Sequence, residues 1–256
     1  ISEKKIHEKG LMNKIYEILE NNGHLHYGVL DKPKGKDSEE WKPIKQLLFK
    51  SSLYGDKSDR VIKKNNGDWT YFASDIAYHY DKATRGYDEI INIWGADHAG
   101  YIDRVKASLV ALGFKDTVFN VKLCQIVNLI DKKKVIKMSK RDGNFILVSD
   151  ILPKIGKDVL RFFMLTRKND AHLDFDLEKC LNETSENPSF YVQYAYARIS
   201  SLKRIAALQK QKISKKNIKV GGNQLSLPEI NLIKCLSLWP KIIESSVSYR
   251  EPHRIV

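Results

Sequence analysis

Lys137 and Lys140 stand three positions apart, with Met138 and Ser139 between them and Gly143 just beyond. An ammonium is a point charge on a flexible stem, so two at this spacing can hold a phosphate chain and follow part of it as it leaves. A basic surface turn has the same composition, and the pair alone does not separate the two readings. A second group lies between Trp69 and Asp81. Read as a helix, Tyr71, Asp75, Tyr78 and His79 fall on one face, with a tyrosine hydroxyl one turn before a carboxylate. That pair suits a cation rich in hydrogen-bond donors, such as a guanidinium. The plain alternative is an aspartate paired with a neighbouring Lys or Arg. The third group is Gly95-Ala96-Asp97-His98, a weak signal by itself.

Each group needs an element to hold it. Glu89 to Trp94 reads as a short strand, and Ile102, Val105, Leu109 and Leu112 recur at helical spacing until Gly113 stops them. Strand, glycine turn and helix place Asp97 and His98 at the carboxyl end of a strand, where open parallel sheets bind ligands. Lys122 to Ile130 is a further strand candidate, followed by the lysine loop. An extended run at 145–148 then leads to a helix capped by Ser149, with Asp150 in its first turn. Residues 5–20 read as one amphipathic helix, His24 to Tyr27 as a strand, and 31–42 as a loop. Mixed charge at 55–60 marks another turn. Further on, 157–167 reads as a buried helix and 170–175 as a loop. Asn187-Pro188 is a helix start by cap and first-turn proline. Val192, Ala195, Ile199, Leu202 and Ala206 then form the seam of a helix packed on other helices. Residues 209–224 are a lysine-rich linker or long loop, and Leu227-Pro228 opens a helix that Pro240 kinks or ends.

The composition narrows the classes. With 42% hydrophobic residues, the 256-residue chain can bury a core. No apolar run reaches the roughly 18 residues of a membrane helix, so no membrane partner is expected. Cys124, Cys180 and Cys235 lie far apart, which argues against a zinc knuckle and for a reducing, cytoplasmic setting. His24 and His26 lack a third ligand nearby, so no protein-bound metal is expected. The 44 Lys+Arg against 31 Asp+Glu give a net charge of +13, which fits a polyanionic partner. Ile1 at the start, and Pro252 to Val256 reading as the first turn of a helix, fit an internal piece of a longer protein.

Four segments together carry a resemblance: GDKSDRVIKKNNGDWTYFASDIAYHYDK, RGYDEIINIWGADHAGY, KMSKRDGN and NPSFYVQYAYARISSL. In this order they resemble arginyl-tRNA synthetases of the bacterial type, members of class I, whose signature loop is KMSK. The resemblance implies an α/β fold, the second half of a Rossmann-like catalytic domain over residues 1–183. A truncated all-α anticodon-binding domain would follow over 184–256. It implies ATP-dependent activation of arginine and transfer to the 3′ end of tRNA(Arg), by a monomer, with Mg²⁺ accompanying ATP. Lys137 and Lys140 would be catalytic at the β- and γ-phosphates, with Met138 and Ser139 beside them. Asp97 would hold the ribose and Gly95 would permit close approach. The backbone from Gln125 to Val127 would meet adenine. Tyr71, Asp75 and His98 would contact arginine, and Tyr191, Gln193, Tyr194 and Arg198 would face tRNA. Lys203, Arg204, Lys210, Lys212, Lys215 and Lys216 would add phosphate contacts.

One departure stands out. Class I enzymes also carry a His-x-Gly-His tetrapeptide at the α-phosphate, and none occurs in these 256 residues. Two other readings therefore stay open: a related class I synthetase or nucleotidyltransferase for another substrate, and a catalytically inactive tRNA-binding remnant.

Overall fold

The computed structural model describes residues 3–8, 10–31, 43–136, 138, 146–184, 186–209 and 225–256. The chain divides into two compact units, Ile1–Cys124 and Gln125–Val256.

The first unit opens with helices α1 (Glu3–Glu8) and α2 (Leu11–Asn21). The single helix expected at 5–20 is broken because Gly10 adopts a left-handed φ of 66°, a conformation glycine enters without a Cβ penalty. Strands β1 (Leu25–Gly28), β2 (Gln46–Phe49) and β3 (Arg60–Lys63) make an antiparallel sheet. Its turn is pinned by Asp56, which takes two hydrogen bonds from Arg60 at 2.6 and 2.7 Å and one from Ser51 at 3.1 Å. Burial pulls the Asp56 carboxyl upward, but the bonds from Arg60, the Lys57 N–H and Ser51, with the Arg60 charge, hold it below its ordinary value.

Helix α3 (Tyr71–Ala83) starts and ends two residues later than the expected 69–81. The Thr70 hydroxyl oxygen accepts from the Ala73 N–H at 3.3 Å and its proton goes to the Val61 carbonyl at 2.9 Å, which ties the helix start to β3. Phe72, Ala73, Ile76, Ala77 and Tyr80 face a core shared with Ile15 and Leu19 of α2 and with Phe49 and Ile62 of the sheet. After α3 come β4 (Glu89–Gly95), a 3₁₀ turn at Ala96–Tyr101, α4 (Ile102–Ala111) and β5 (Val118–Cys124). Strands β4 and β5 pair in parallel from Glu89↔Val118 to Gly95↔Cys124, a βαβ arrangement.

In the second unit, β7 (Lys134–Val135) and β8 (Leu173–Asp176) flank β6 (Val127–Asp131), antiparallel and parallel respectively. Lys132 and Lys133 join β6 to β7 with φ of 48° and 61°, the double left-handed turn that suits a tight hairpin. The expected strand at 122–130 is two strands of different sheets, interrupted at Gln125 and Ile126. There the Gln125 N–H donates to the Asn169 carbonyl at 2.8 Å instead of continuing the ladder. The expected loop at 170–175 ends in β8, because Phe175 is driven into the core against Phe163, ring centroids 5.9 Å apart.

Helix α5 (Val148–Ile155) begins one residue before the expected cap, Ser149. The Asp150 carboxylate accepts the Leu147 N–H at 2.9 Å, so the aspartate, not the serine, closes the helix start. The extended run at 145–148 loses Val148 to this helix. Helix α6 (Lys157–Met164) buries Phe163 and is less enclosed than its sequence suggests. Helix α7 (Leu177–Leu181) carries Cys180, whose thiol is pushed up to about 12, first by burial and then by Asp176.

Helix α8 (Pro188–Leu208) has Asn187 as its cap, as expected. The Asn187 side-chain oxygen accepts from the Ser189 and Phe190 N–H groups at 3.0 and 3.2 Å, while its NH₂ reaches the Cys180 and Asn182 carbonyls. The expected seam is largely unpacked: Val192, Ile199 and Leu202 are exposed. Helix α9 (Leu227–Tyr249) runs through Pro240 rather than stopping there. A capping box between Ser226 and Glu229 starts it, and Pro252–Arg254 form a single 3₁₀ turn.

Candidate functional site

Strand β4 alternates, so Ile90, Asn92 and Trp94 share the face turned to α3. Where α3 passes the carboxyl end of β4 a cavity of about 360 Å³ remains, lined by Asp75, Tyr78, His79, Lys82, Trp94, Gly95, His98 and Tyr101 among others. Asp75, Tyr78, His79 and Lys82 line it because they recur at helical spacing on one side of α3.

Behind that wall is a polar chain. The His79 Nδ1 lies 2.7 Å from the Asp75 carbonyl oxygen, and its Nε2 lies 2.6 Å from the Asn92 Nδ2. The Asn92 Oδ1 in turn accepts from the Lys82 ammonium at 2.7 Å. A carbonyl cannot donate, so Nδ1 carries the imidazole proton and Nε2 accepts from the amide. His79 is 3% exposed, and burial foremost drives its pKa down to about 4, against the lesser opposing effect of the Asp75 carbonyl. It is therefore neutral near pH 7. Lys82 lies over the Tyr78 ring at 4.2 Å. Burial first, and then Arg85, lowers its pKa, while Asp75 works the other way.

At the strand end, a Cβ added to Gly95 would stand 2.5 Å from the Asp97 Oδ1. A larger residue there displaces this carboxylate. The His98 Nε2 is 3.5 Å from the Asp97 Oδ2, and the His98 ring sits beside Tyr101 at 5.6 Å. Arg104 lies over the Tyr101 ring at 4.3 Å.

Of the expected arginine contacts, Asp75 and His98 come together in the cavity, whereas Tyr71 at the helix start is 87% exposed and does not line it. In the second unit, Val127 pairs with Leu173, and the Gln125 backbone N–H is already engaged by Asn169. Met138 is half-exposed, and Lys137, Ser139 and Lys140 lie outside the described residues, as do Lys210, Lys212, Lys215 and Lys216. Tyr191, Gln193, Tyr194 and Arg198 are exposed along α8, with Tyr194 stacked on Phe190 and Arg198 over Tyr194 at 5.9 Å.

Sequence reasoning did not single out Lys82, Asn92, Trp94 or Tyr101. The available signal was Asn92 itself, an amide at an inward position of the otherwise apolar run Ile90 to Trp94. Among the described residues no group of three or more His, Cys, Asp or Glu could hold a metal ion, and no helix is long and apolar enough to cross a membrane.

The first unit thus sets a parallel β4–β5 pair with a cavity at the carboxyl end of β4, and long helices follow in the second. Residues 192–256 match the DALR anticodon binding domain family. Over 99% of its length the chain is 46% identical to the arginine–tRNA ligases of Roseobacter denitrificans and Orientia tsutsugamushi, and it spans 44% of the length of each. An arginyl-tRNA synthetase structure from Campylobacter jejuni superposes with a TM-score of 0.76 at 34% identity, covering 100% of this chain and 51% of that one. The arginyl-tRNA synthetase of Thermus thermophilus shares the fold, with a TM-score of 0.67 at 20% identity over 97% of this chain and 48% of its own. The similarity to these arginine–tRNA ligases thus runs along nearly all of the chain, which spans less than half of their length.

Proposed function

We propose that the chain forms part of an enzyme that activates arginine with ATP and transfers it to tRNA(Arg), in the cytoplasm and as a monomer. The arginine carboxylate oxygen attacks the α-phosphorus, the bond to the β-phosphate oxygen breaks, and pyrophosphate leaves. A terminal ribose hydroxyl of the tRNA then takes the arginyl group and AMP departs. Chemistry of this kind depends on positioning and charge stabilisation.

The observation that carries the reading is Asp75 in the wall of the cavity at the end of β4, with His98 beside it. Asp75 is the counter-charge for the guanidinium, His98 meets the amino acid, and Tyr71, one turn before Asp75 on α3, adds a hydroxyl. Asp97 takes the ribose hydroxyls beside Gly95. Gln125 and Val127 serve adenine, and Lys137, Met138, Ser139 and Lys140 serve the phosphates. Mg²⁺ arrives with ATP. Residues 1–183 belong to the catalytic domain and 184–256 to the anticodon domain, where Tyr191, Gln193, Tyr194 and Arg198 meet tRNA.

The test is arginine-dependent ATP–pyrophosphate exchange with tRNA present, using this chain joined to the portion of a curated relative that it does not span. Exchange specific for arginine, slowed about 100-fold or more by Lys140→Ala, supports the reading. Exchange driven by another amino acid, or RNA binding without exchange, replaces it with one of the two alternatives.

A further inference from the structure

The cavity wall holds a charge that its own surroundings compensate only in part, through the attraction of Asp75. Lys82 is half-buried, its ammonium donates to the neutral Asn92 amide oxygen at 2.7 Å and lies over the Tyr78 ring at 4.2 Å, and the attraction of Asp75 does not outweigh burial and Arg85, which lower its pKa. Taking an ammonium out of water without a counter-ion is costly, so a structure that holds one there gains when an anion arrives. The ammonium is also held in place. His79, protonated on Nδ1 by its bond to the Asp75 carbonyl, accepts from the Asn92 NH₂ and so turns the Asn92 oxygen toward Lys82. A reversed amide would set its NH₂ against the ammonium. Each link is uncharged except the last.

We propose that Lys82 is the anion-binding group of this cavity, presented by the His79–Asn92 relay to a carboxylate or phosphate oxygen of the ligand, while Asp75 takes the ligand's cation. This deepens the arginine reading and rests on it for the cation. On α3, Asp75 and Lys82 are seven residues apart, about 10 Å along the axis. Side chains on both can reach the two ends of one extended amino acid. The anionic oxygen has two possible sources, the amino-acid carboxylate and a phosphate chain.

The experiment is calorimetric titration of the purified chain with L-arginine, with agmatine (the same guanidinium without a carboxylate) and with inorganic pyrophosphate. Each is repeated on Lys82→Met and Lys82→Arg. A carboxylate on Lys82 makes arginine bind about tenfold or more tighter than agmatine. Lys82→Met erases that difference while agmatine affinity holds or improves, and Lys82→Arg restores part of it. If the phosphate is the source, pyrophosphate affinity falls by a similar factor in Lys82→Met and arginine and agmatine stay equal. Retention of the His79 Nδ1–H resonance in Lys82→Met separates lost binding from a disturbed pocket. If no probe depends on Lys82, the inference is overturned. Lys82-dependent pyrophosphate binding with no agmatine binding leaves the inference standing and removes the arginine reading.

Discussion

The α3–β4 wall of the first unit and helix α8 of the second were both expected to meet ligands, and they are built in opposite ways. In the wall, three polar side chains are fixed in series: His79 by a carbonyl, Asn92 by His79, Lys82 by Asn92. On α8, fixation is concentrated at the Asn187 cap, and Tyr191, Tyr194 and Tyr196 stand in solvent. A small ligand bound by a few contacts requires preset geometry. A large polyanion spreads its contacts and tolerates mobile side chains. The contrast predicts that substitutions in the wall alter both binding and stability, whereas those along α8 alter binding alone.

The largest effect is expected at Asp75. Asp75→Ala removes the counter-charge of a guanidinium and should weaken arginine binding by about 3–5 kcal/mol, with little change in ATP affinity. An equal loss for both ligands would reduce Asp75 to a structural residue. Next comes His79 and pH. Its folded pKa, about 4, lies below the ordinary 6.5, so the unfolded chain takes up the proton first. The stabilisation is complete above pH 6.5 and is lost as pH falls toward 4, roughly 2 kcal/mol by pH 5. Urea unfolding at pH 7 and pH 5 should show this loss in the natural chain and not in His79→Gln.

At the one fixed point of α8, Asn187→Ala should lower the stability of the second unit by about 1–2 kcal/mol, read as an earlier unfolding transition of that unit. Along the rest of the helix the effect should nearly vanish. Tyr194→Ala should change stability by less than about 0.5 kcal/mol while weakening tRNA binding in a gel-shift titration. A large stability loss at Tyr194 would erase the distinction between the two regions.

Sequence disclosed what local rules dictate. Asn187 as a cap, the turn after Gly95 and the stop at Gly113 each follow from neighbours a few residues away. The single helix drawn through Gly10 failed because one left-handed residue outweighs a continuous apolar pattern. Strand β8 was missed for a different reason. Leu173-Asp174-Phe175-Asp176 alternates, yet so short a run becomes a strand only through its pairing with distant β6. The relay was likewise illegible, since Asn92 and His79 acquire their roles by facing each other across two elements. The KMSK pattern was readable purely as a signature, and its lysines gain no geometry from their neighbours in sequence.

The pairing of β6 with β8 also sets an order of events. These strands are hydrogen-bonded neighbours, but the chain travels from Asp131 to Leu173, through α5 and α6, before they can meet. The hairpin from β6 to β7 closes over two lysines, and β4 reaches β5 after a single helix. Closing a longer loop costs more chain entropy before any contact compensates it, so distant pairings form late. In refolding monitored by pulsed hydrogen exchange, the amides of β4 and β5 should become protected before those of β8. Phe175 would then be among the last large side chains to leave water, and a nascent second unit would expose it longest to chaperones and proteases.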